Sequence, residues 1–167
     1  MQPTPKPPQN IQPATQPPAA APKTPPAATE KPKGSSKPSV LIVHPDSRTL
    51  RLIRESLEGF KDCNFVTTPD AEYGFELALK KNHDLYIFGL NLPVLHGELL
   101  YSLISRAYTF SHQGALTAPA VIYIGDAQDA SKAAELKQDA RVRGVMFRPF
   151  KIDRFLNAIG DLIPNKT

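Results

Sequence analysis

Three side chains of metal-binding type follow predicted buried strands in this chain. His44 and Asp46 come directly after the apolar run 40–43, and Asp126 follows a second such run. An imidazole and two carboxylates form a ligand set for a transition metal. Pro45 stiffens the first loop, however, and no metal-binding spacing motif links the three residues. We therefore expect a hydrogen-bonded histidine at this place, with no metal and no cofactor.

Arg148 is the cation that follows the last predicted strand. The carboxyl ends of parallel strands meet at one edge of a sheet, so its guanidinium either pairs with Asp46 or Asp126 or faces solvent. No Gly-rich phosphate loop follows the first strand, and no Ser/His/Asp set or carboxylate pair converges there. The strand ends therefore predict that the protein is not an enzyme.

Strand-length apolar runs alternate five times with helix-length amphipathic runs. The predicted strands are 40–43, 65–67, 85–88, 120–124 and 145–147, and the predicted helices are 47–60, 70–79, 98–106, 129–138 and 152–163. Continuous apolar strands are typical of a parallel sheet that is covered on both faces. The pattern predicts an α/β fold, a (βα)5 doubly wound parallel sheet with the flavodoxin-like order 2-1-3-4-5.

Helical periodicity predicts which side chains face the core. In the first helix the buried stripe ends at Phe60, and in the third helix it consists of Leu99, Leu100, Leu103 and Ile104. The fourth helix is alanine-rich and weakly amphipathic, and Pro164 ends the fifth. The connection 108–119 is longer than the fold requires, and its role is left open.

Composition divides the 167-residue chain into a tail, 1–38, a domain, 39–164, and a short C-terminal end, 165–167. The tail holds 12 of the 18 prolines and none of the aromatic residues. Such a segment buries too little surface to fold, so we expect a disordered tail with polyproline II character. Its PxxP strings at 5–8 and 22–25 make it either a tether or a docking site.

The net positive charge of the chain lies entirely in the same tail. Five lysines and one glutamate give the tail +4, which is the net charge of the whole chain, so the domain is neutral. A neutral domain without a basic stripe argues against nucleic-acid binding. The chain has no apolar run of about 20 residues and no signal-peptide core, which predicts a cytoplasmic protein without stable membrane insertion.

The remaining metal-binding residue types have ordinary explanations. A single cysteine, Cys63, excludes an internal disulfide and is expected to be a buried or half-buried thiol. His83, His96 and His112 fall in predicted loops, where we expect them at the surface.

Five short strings occur in an order that resembles the receiver domains of response regulators. They are Leu41-Ile42-Val43, Asp70-Ala71-Glu72, Asp84-Leu85, Asn91-Leu92-Pro93 with Gly97 beyond it, and Arg148-Pro149-Phe150. The resemblance covers about 39–162. It implies an acidic pair and an acceptor aspartate that hold Mg²⁺, with a hydroxyl residue and a lysine that bind the phosphoryl group.

Carried over position by position, that chemistry is almost entirely missing. The acidic pair falls on His44 and Pro45, the acceptor aspartate on Gly89, and the hydroxyl residue on Gly125. The lysine falls on Arg148, the one match that keeps a charge. The resemblance therefore implies a degenerate receiver, a pseudoreceiver, which cannot form an acyl phosphate.

Of two further positions of the family's site, one is changed and the other gives no information. The aromatic switch position falls on Val145, and Asn91 stands where the family uses only a backbone carbonyl. Asp46 and Asp126 are possible residual residues of the cleft. We expect Asp46 to cap the first helix rather than to replace the acceptor.

The resemblance implies a stand-alone module of two-component phosphorelay signalling, because no further domain follows Thr167. It would act as a phosphorylation-independent scaffold that binds a protein partner or a second copy. The family's interaction face, built from the fourth helix, fifth strand and fifth helix, falls here on Val145, Phe147, Phe150 and Lys151. Two alternatives are a small-molecule-binding or catalytic flavodoxin-like domain that uses the crevice, and a working receiver with a shifted site.

Overall fold

The computed structural model describes residues 2–5 and 37–167 of the chain. Most of the predicted tail, including its PxxP strings beyond Pro5, lies outside the described residues, and its character stays a prediction. Within the described part, no helix has the length and apolar character needed to cross a membrane.

Five parallel strands form one sheet, and five α-helices alternate with them in the part of the chain that the structure describes. The strands are β1 (Ser39–Val43), β2 (Asn64–Thr68), β3 (Leu85–Gly89), β4 (Ala120–Asp126) and β5 (Val142–Arg148). The helices are α1 (Ser47–Phe60), α2 (Ala71–Lys80), α3 (Gly97–Ser111), α4 (Ala133–Leu136) and α5 (Ile152–Ala158). The strand order β2-β1-β3-β4-β5 confirms the doubly wound prediction.

The sheet separates two apolar layers. On one face, Leu41 and Tyr86 belong to a cluster that includes residues of α2 and α3. On the other face, Ile42 and Leu85 pack in a cluster with residues of α1 and α5. Successive strand residues point to opposite faces of the sheet. Because both faces are covered, β3 is buried along its whole length, as its continuous apolar sequence predicted.

Helix α3 buries Leu100 and Ile104, as predicted, but not the other two leucines of its predicted apolar face. Its buried side chains include Leu100, Tyr101 and Ile104, whereas Leu99 is 50% exposed and Leu103 is 39% exposed. The prediction that these two leucines face the core is wrong. The helix begins at Gly97, where a Cβ atom would overlap the Gly89 carbonyl oxygen. This close approach fixes the start of α3 and therefore which of its faces meets the sheet.

The predicted fourth helix is mostly not α-helical. A 3-10 helix spans Ala127–Lys132, and α4 follows it with four residues, none of them buried. A helix gains most of its stability from packing an apolar face, and this alanine-rich segment offers little of one.

Several single residues also differ from their predictions. Phe60 is 57% exposed rather than buried, because it lies at the end of α1. His83 is buried, and its Nδ1 lies 3.0 Å from Ser39 Oγ, so the predicted surface position is wrong. Part of the supposed long connection, including the buried Tyr108, belongs to α3. His112 then stacks on Tyr108 with ring centroids 4.1 Å apart.

Candidate functional site

His44 lies at the carboxyl end of β1 and is almost completely buried. Its Nδ1 accepts a hydrogen bond of 3.0 Å from the backbone N–H of Asp46. Burial lowers the pKa of this histidine, and the positive charge of Arg148 lowers it further. The imidazole is therefore favoured in its neutral form, and it serves as a hydrogen-bonded part of the loop, as predicted.

Asp46 caps the N-terminus of α1, which confirms that prediction. Its Oδ1 accepts from the backbone N–H of Arg48 at 3.1 Å, and its Oδ2 accepts from the Thr49 hydroxyl at 2.7 Å. These two hydrogen bonds, with the Thr49 bond the stronger cause, lower the pKa of the carboxyl group. A charged cap also interacts favourably with the positive end of the helix dipole.

Arg148 joins this cap to the end of β4. Its Nη1 donates to Asp46 Oδ2 at 2.8 Å, while its Nη2 and Nε donate to Asp126 Oδ1 at 2.7 and 3.0 Å. Nη1 also lies 3.4 Å from the hydroxyl oxygen of Thr49. The sequence left pairing with one acid or the other open, and the guanidinium contacts both. We call Arg148, Asp46, Thr49 and Asp126 the Arg148 network.

The centre of the strand edge is filled by backbone and apolar atoms. A Cβ atom on Gly89 would lie 3.0 Å from His44 Cδ2, 3.3 Å from Pro45 Cδ and 3.4 Å from Leu92 Cδ2. These approaches are tighter than or close to van der Waals contact, so even a methyl group would need its neighbours to move. Position 89 therefore has little space for any side chain.

The end of β4 is closed in the same manner. A Cβ atom on Gly125 would lie 2.7 Å from a methyl carbon of Leu90 and 3.0 Å from Asp129 Oδ2. Asp129 is buried, and its Oδ2 accepts from the Asn91 amide at 2.8 Å and from the backbone N–H of Asp126 at 2.9 Å. A buried carboxylate, rather than open space, thus adjoins this glycine.

Two members of the site were not predicted from the sequence. Thr49 was missed, although a threonine three residues after a capping aspartate is well placed to share its carboxylate. Asp129 was missed as well, and its signal is the spacing to Asp126, because the two residues form a capping box at the start of the 3-10 helix. Both residues hold the loops that carry the strand ends.

The aspartate side chains at this strand edge accept hydrogen bonds from neighbouring donors. Asp46 and Asp126 both bind one guanidinium, so Arg148 offsets one of their two negative charges. Among the described residues, no group of three or more His, Cys, Asp or Glu side chains is placed to hold a metal ion. A cavity of about 360 Å³ lies beside Arg148, where Leu52 and Phe150 contribute apolar wall.

The residues predicted for the interaction face have different exposures. Val145 is buried in the core and offers no side chain to a partner. Phe147 and Phe150 are half-buried, and Lys151 is exposed at the start of α5. The accessible part of this face therefore lies at the β5–α5 corner, next to Arg148.

Receiver domains of known structure share this fold. The signal receiver domain of an HD domain-containing protein from Pseudomonas fluorescens Pf-5 has a TM-score of 0.62 and 18% identity, over 75% of this chain and 94% of that chain. A response regulator receiver domain protein from Clostridium thermocellum gives 0.60 and 19%, over 75% and 93%. The receiver domain of a Francisella response regulator gives 0.61 and 17%, over 75% and 96%.

At these identities the similarity establishes the fold. No protein-family model matches the sequence, and no curated protein matches it. The domain is thus an α/β domain with the receiver fold, and its function has to be argued from the Arg148 network and the packed strand edge.

Proposed function

We propose that this protein is a pseudoreceiver, a cytoplasmic module of two-component signalling that binds protein partners without being phosphorylated. In the receiver chemistry outlined above, an aspartate at the end of the third strand attacks phosphorus while Mg²⁺ neutralises the charge. Here Gly89 ends β3 and has no carboxylate. The observation that carries the proposal is that the place of the missing side chain is already packed by His44, Pro45 and Leu92.

The Arg148 network supports the same conclusion. A Mg²⁺ ion takes oxygen ligands and would need carboxylates that are not already bound by a cation. The guanidinium lies between Asp46 and Asp126, and it would repel a divalent ion placed beside them. It also links β5 to α1 directly, so the loops that phosphorylation rearranges in a receiver are joined here without phosphate.

A protein without phosphotransfer chemistry has no phosphorylation-driven population shift at this site, because no phosphoryl group distinguishes two states. We therefore propose that its role is constitutive binding and that it is not an enzyme. The β5–α5 corner, with Phe147, Phe150 and Lys151, is the surface that we assign to a protein partner of the phosphorelay.

The first test is an amide NMR spectrum of the full chain, recorded before and after addition of Mg²⁺ and beryllofluoride, which mimics a phosphoryl group. We expect no shifts at the strand edge. Shifts concentrated at Asp46, Gly89, Asp126 and Arg148 would show that the cleft binds the mimic, and would favour the working receiver with a shifted site.

The partner surface is tested by a charge change at the corner. Lys151→Glu should reduce capture of histidine kinases or phosphotransfer proteins of the same cell by the full chain. The matched control is Lys81→Glu, which makes the same change at an exposed residue directly after α2. Equal capture by both variants would remove the corner from the proposed interface.

A second candidate function rests on the 360 Å³ cavity beside Arg148. Apolar wall from Leu52, Pro149 and Phe150 next to a guanidinium suits a small molecule with one anionic group. In the same NMR titration, a library of small carboxylic acids that shifted the amides around Leu52 and Phe150 would favour this function. An unchanged spectrum would favour the protein-binding one.

A further inference from the structure

The outer face of α3 carries an exposed apolar stripe. Leu99, Leu103 and Phe110 are 50%, 39% and 87% exposed. At about 100° per residue these positions fall within roughly 40° of one another around the helix axis. Three large apolar side chains in so narrow a sector make a stripe along the helix, with Arg106 between Leu103 and Phe110.

Two further exposed apolar residues flank the helix in the sequence. Val94, just before α3, is 76% exposed, and Leu116, just after it, is 92% exposed. Of the eight large apolar side chains exposed in the described part of the chain, five lie between Val94 and Leu116. Scattered exposed leucines are ordinary, whereas such a concentration marks an interaction surface. We call these five residues the α3 stripe.

The α3 stripe is symmetric about the middle of its helix. Leu99 and Phe110 lie equally far from the point between Ile104 and Ser105, and Val94 and Leu116 lie almost equally far from it. A two-fold axis through this point, with two α3 helices antiparallel, would place Leu99 against Phe110 of the second copy. A two-fold contact requires this kind of self-complementarity.

The one charge close to the stripe is compatible with the same arrangement. Arg106 is exposed and lies in the same sector of the helix, about 20° from Leu99 and 40° from Phe110 around the axis. In the antiparallel pair it would lie against Leu103 of the second copy. A long arginine stem covers apolar surface while its guanidinium reaches water.

The exposed area is sufficient for a specific contact. From their exposed fractions, and with roughly 180 Å² for a fully exposed side chain of this size, the five side chains present about 600 Å² per copy. Complete burial in two copies would remove at most about 1,200 Å² from water, which is the lower end of the range for specific protein interfaces. We propose that the α3 stripe is the two-fold interface of a homodimer.

This interface would leave the proposed partner surface free. Residues of α3 pack against one face of the sheet, whereas residues of α5 pack against the other. A dimer through α3 can therefore present two β5–α5 corners, one on each copy.

The first test is the mass of the full chain, measured by sedimentation equilibrium from low to high micromolar concentration. We expect a monomer–dimer equilibrium that Phe110→Asp weakens about tenfold or more. Tyr73→Glu is the matched control, because Tyr73 is a half-exposed aromatic residue on α2, outside the stripe, and should leave the equilibrium unchanged. A monomer at every concentration, or a dimer that Phe110→Asp leaves intact, would overturn the proposal.

The antiparallel register has its own test, with Cys63→Ser as the background. A mixture of the Leu99→Cys and Phe110→Cys variants should form an intermolecular disulfide, and neither variant should do so alone. Cross-linking of each variant with itself would contradict the proposed axis. If the stripe instead takes up a helix of another protein, the chain alone stays monomeric, and the homodimer is excluded.

Discussion

Arg148 lies opposite Asp126 in the last residue pair of β4 and β5, and two of its guanidinium nitrogens donate to the same oxygen, Asp126 Oδ1. The third guanidinium nitrogen reaches Asp46, which lies 102 residues away in the sequence. One side chain thus joins the two strands at the edge of the sheet to the first helix.

The Arg148 network should contribute measurably to stability. Replacing Arg148 with alanine removes its bonds to both acids, and we expect the free energy of unfolding to fall by about 1–2 kcal/mol, since the side chain is one-third exposed. Arg143→Ala, at an exposed position of the same strand, should change it by less than about 0.5 kcal/mol. Urea unfolding of both variants measures the difference. An unchanged midpoint for Arg148→Ala would show that the network is energetically neutral.

Asparagine substitutions distinguish the contribution of Asp46 as a helix cap from the contribution of its negative charge. Asp70 caps α2 as Asp46 caps α1, but no ion pair with Asp70 is present among the described contacts. Because asparagine is as good a cap as aspartate, Asp70→Asn should be almost neutral. Asp46→Asn removes the charge that faces Arg148 and should cost about 1 kcal/mol at low salt, with a smaller effect at high salt. Thermal unfolding at two salt concentrations checks both, and equal effects would contradict a role of the ion pair.

Two glycines should respond oppositely to alanine. Gly59→Ala in α1 meets no atom within 4 Å, and it should raise the free energy of unfolding by about 0.5–1 kcal/mol because alanine favours the helix. Gly89→Ala places its methyl group against His44, Pro45 and Leu92, and we expect a loss of about 1–3 kcal/mol. Denaturant unfolding of both variants gives the signs. A stabilising Gly89→Ala would show that the strand edge has unoccupied space.

Acidification should destabilise the fold before its carboxylates titrate. Burial lowers the pKa of His44 below its ordinary value of 6.5, and burial lowers the pKa of His83 in the same direction. The unfolded chain then binds more protons than the folded one. The stability is complete above about pH 6.5 and is lost as the pH falls toward the folded-state pKa values, with a slope of at most about 1.4 kcal/mol per pH unit for each histidine.

Unfolding measured between pH 7.5 and 5.5 tests the histidine effect. His44→Asn keeps an acceptor near the Asp46 N–H. It should reduce the slope of the unfolding free energy against pH by the contribution of one histidine. A slope that His44→Asn does not alter would assign the acid sensitivity to other groups.

The order of strands was predictable because it depends on a coarse pattern. Five continuous apolar runs and five amphipathic ones leave few arrangements open, and none of them depends on the residues of the site. The cap at Asp46 was also predictable, since an aspartate before an amphipathic run has a local reason to be there. The double contact of Arg148 was only partly predictable, because sequence does not give distances between strand ends.

The orientation of α3 about its own axis shows what periodicity leaves undetermined. Leu99 and Leu103 make one apolar stripe, and Leu100 and Ile104 make another one residue further on, so the pattern allows either pair to face the core. The choice depends on Gly97, which lets the helix start lie against Gly89. A contact between two glycines leaves no trace in hydrophobicity, and the exposed stripe could not be foreseen for this reason.

The packing around Gly89 also limits how the protein can change by mutation. A single substitution that introduced a carboxylate at this position would meet His44, Pro45 and Leu92 before it could do any chemistry. A carboxylate at position 89 therefore depends on its neighbours, and a directed-evolution experiment that seeks one should vary His44, Pro45 and Leu92 together with Gly89.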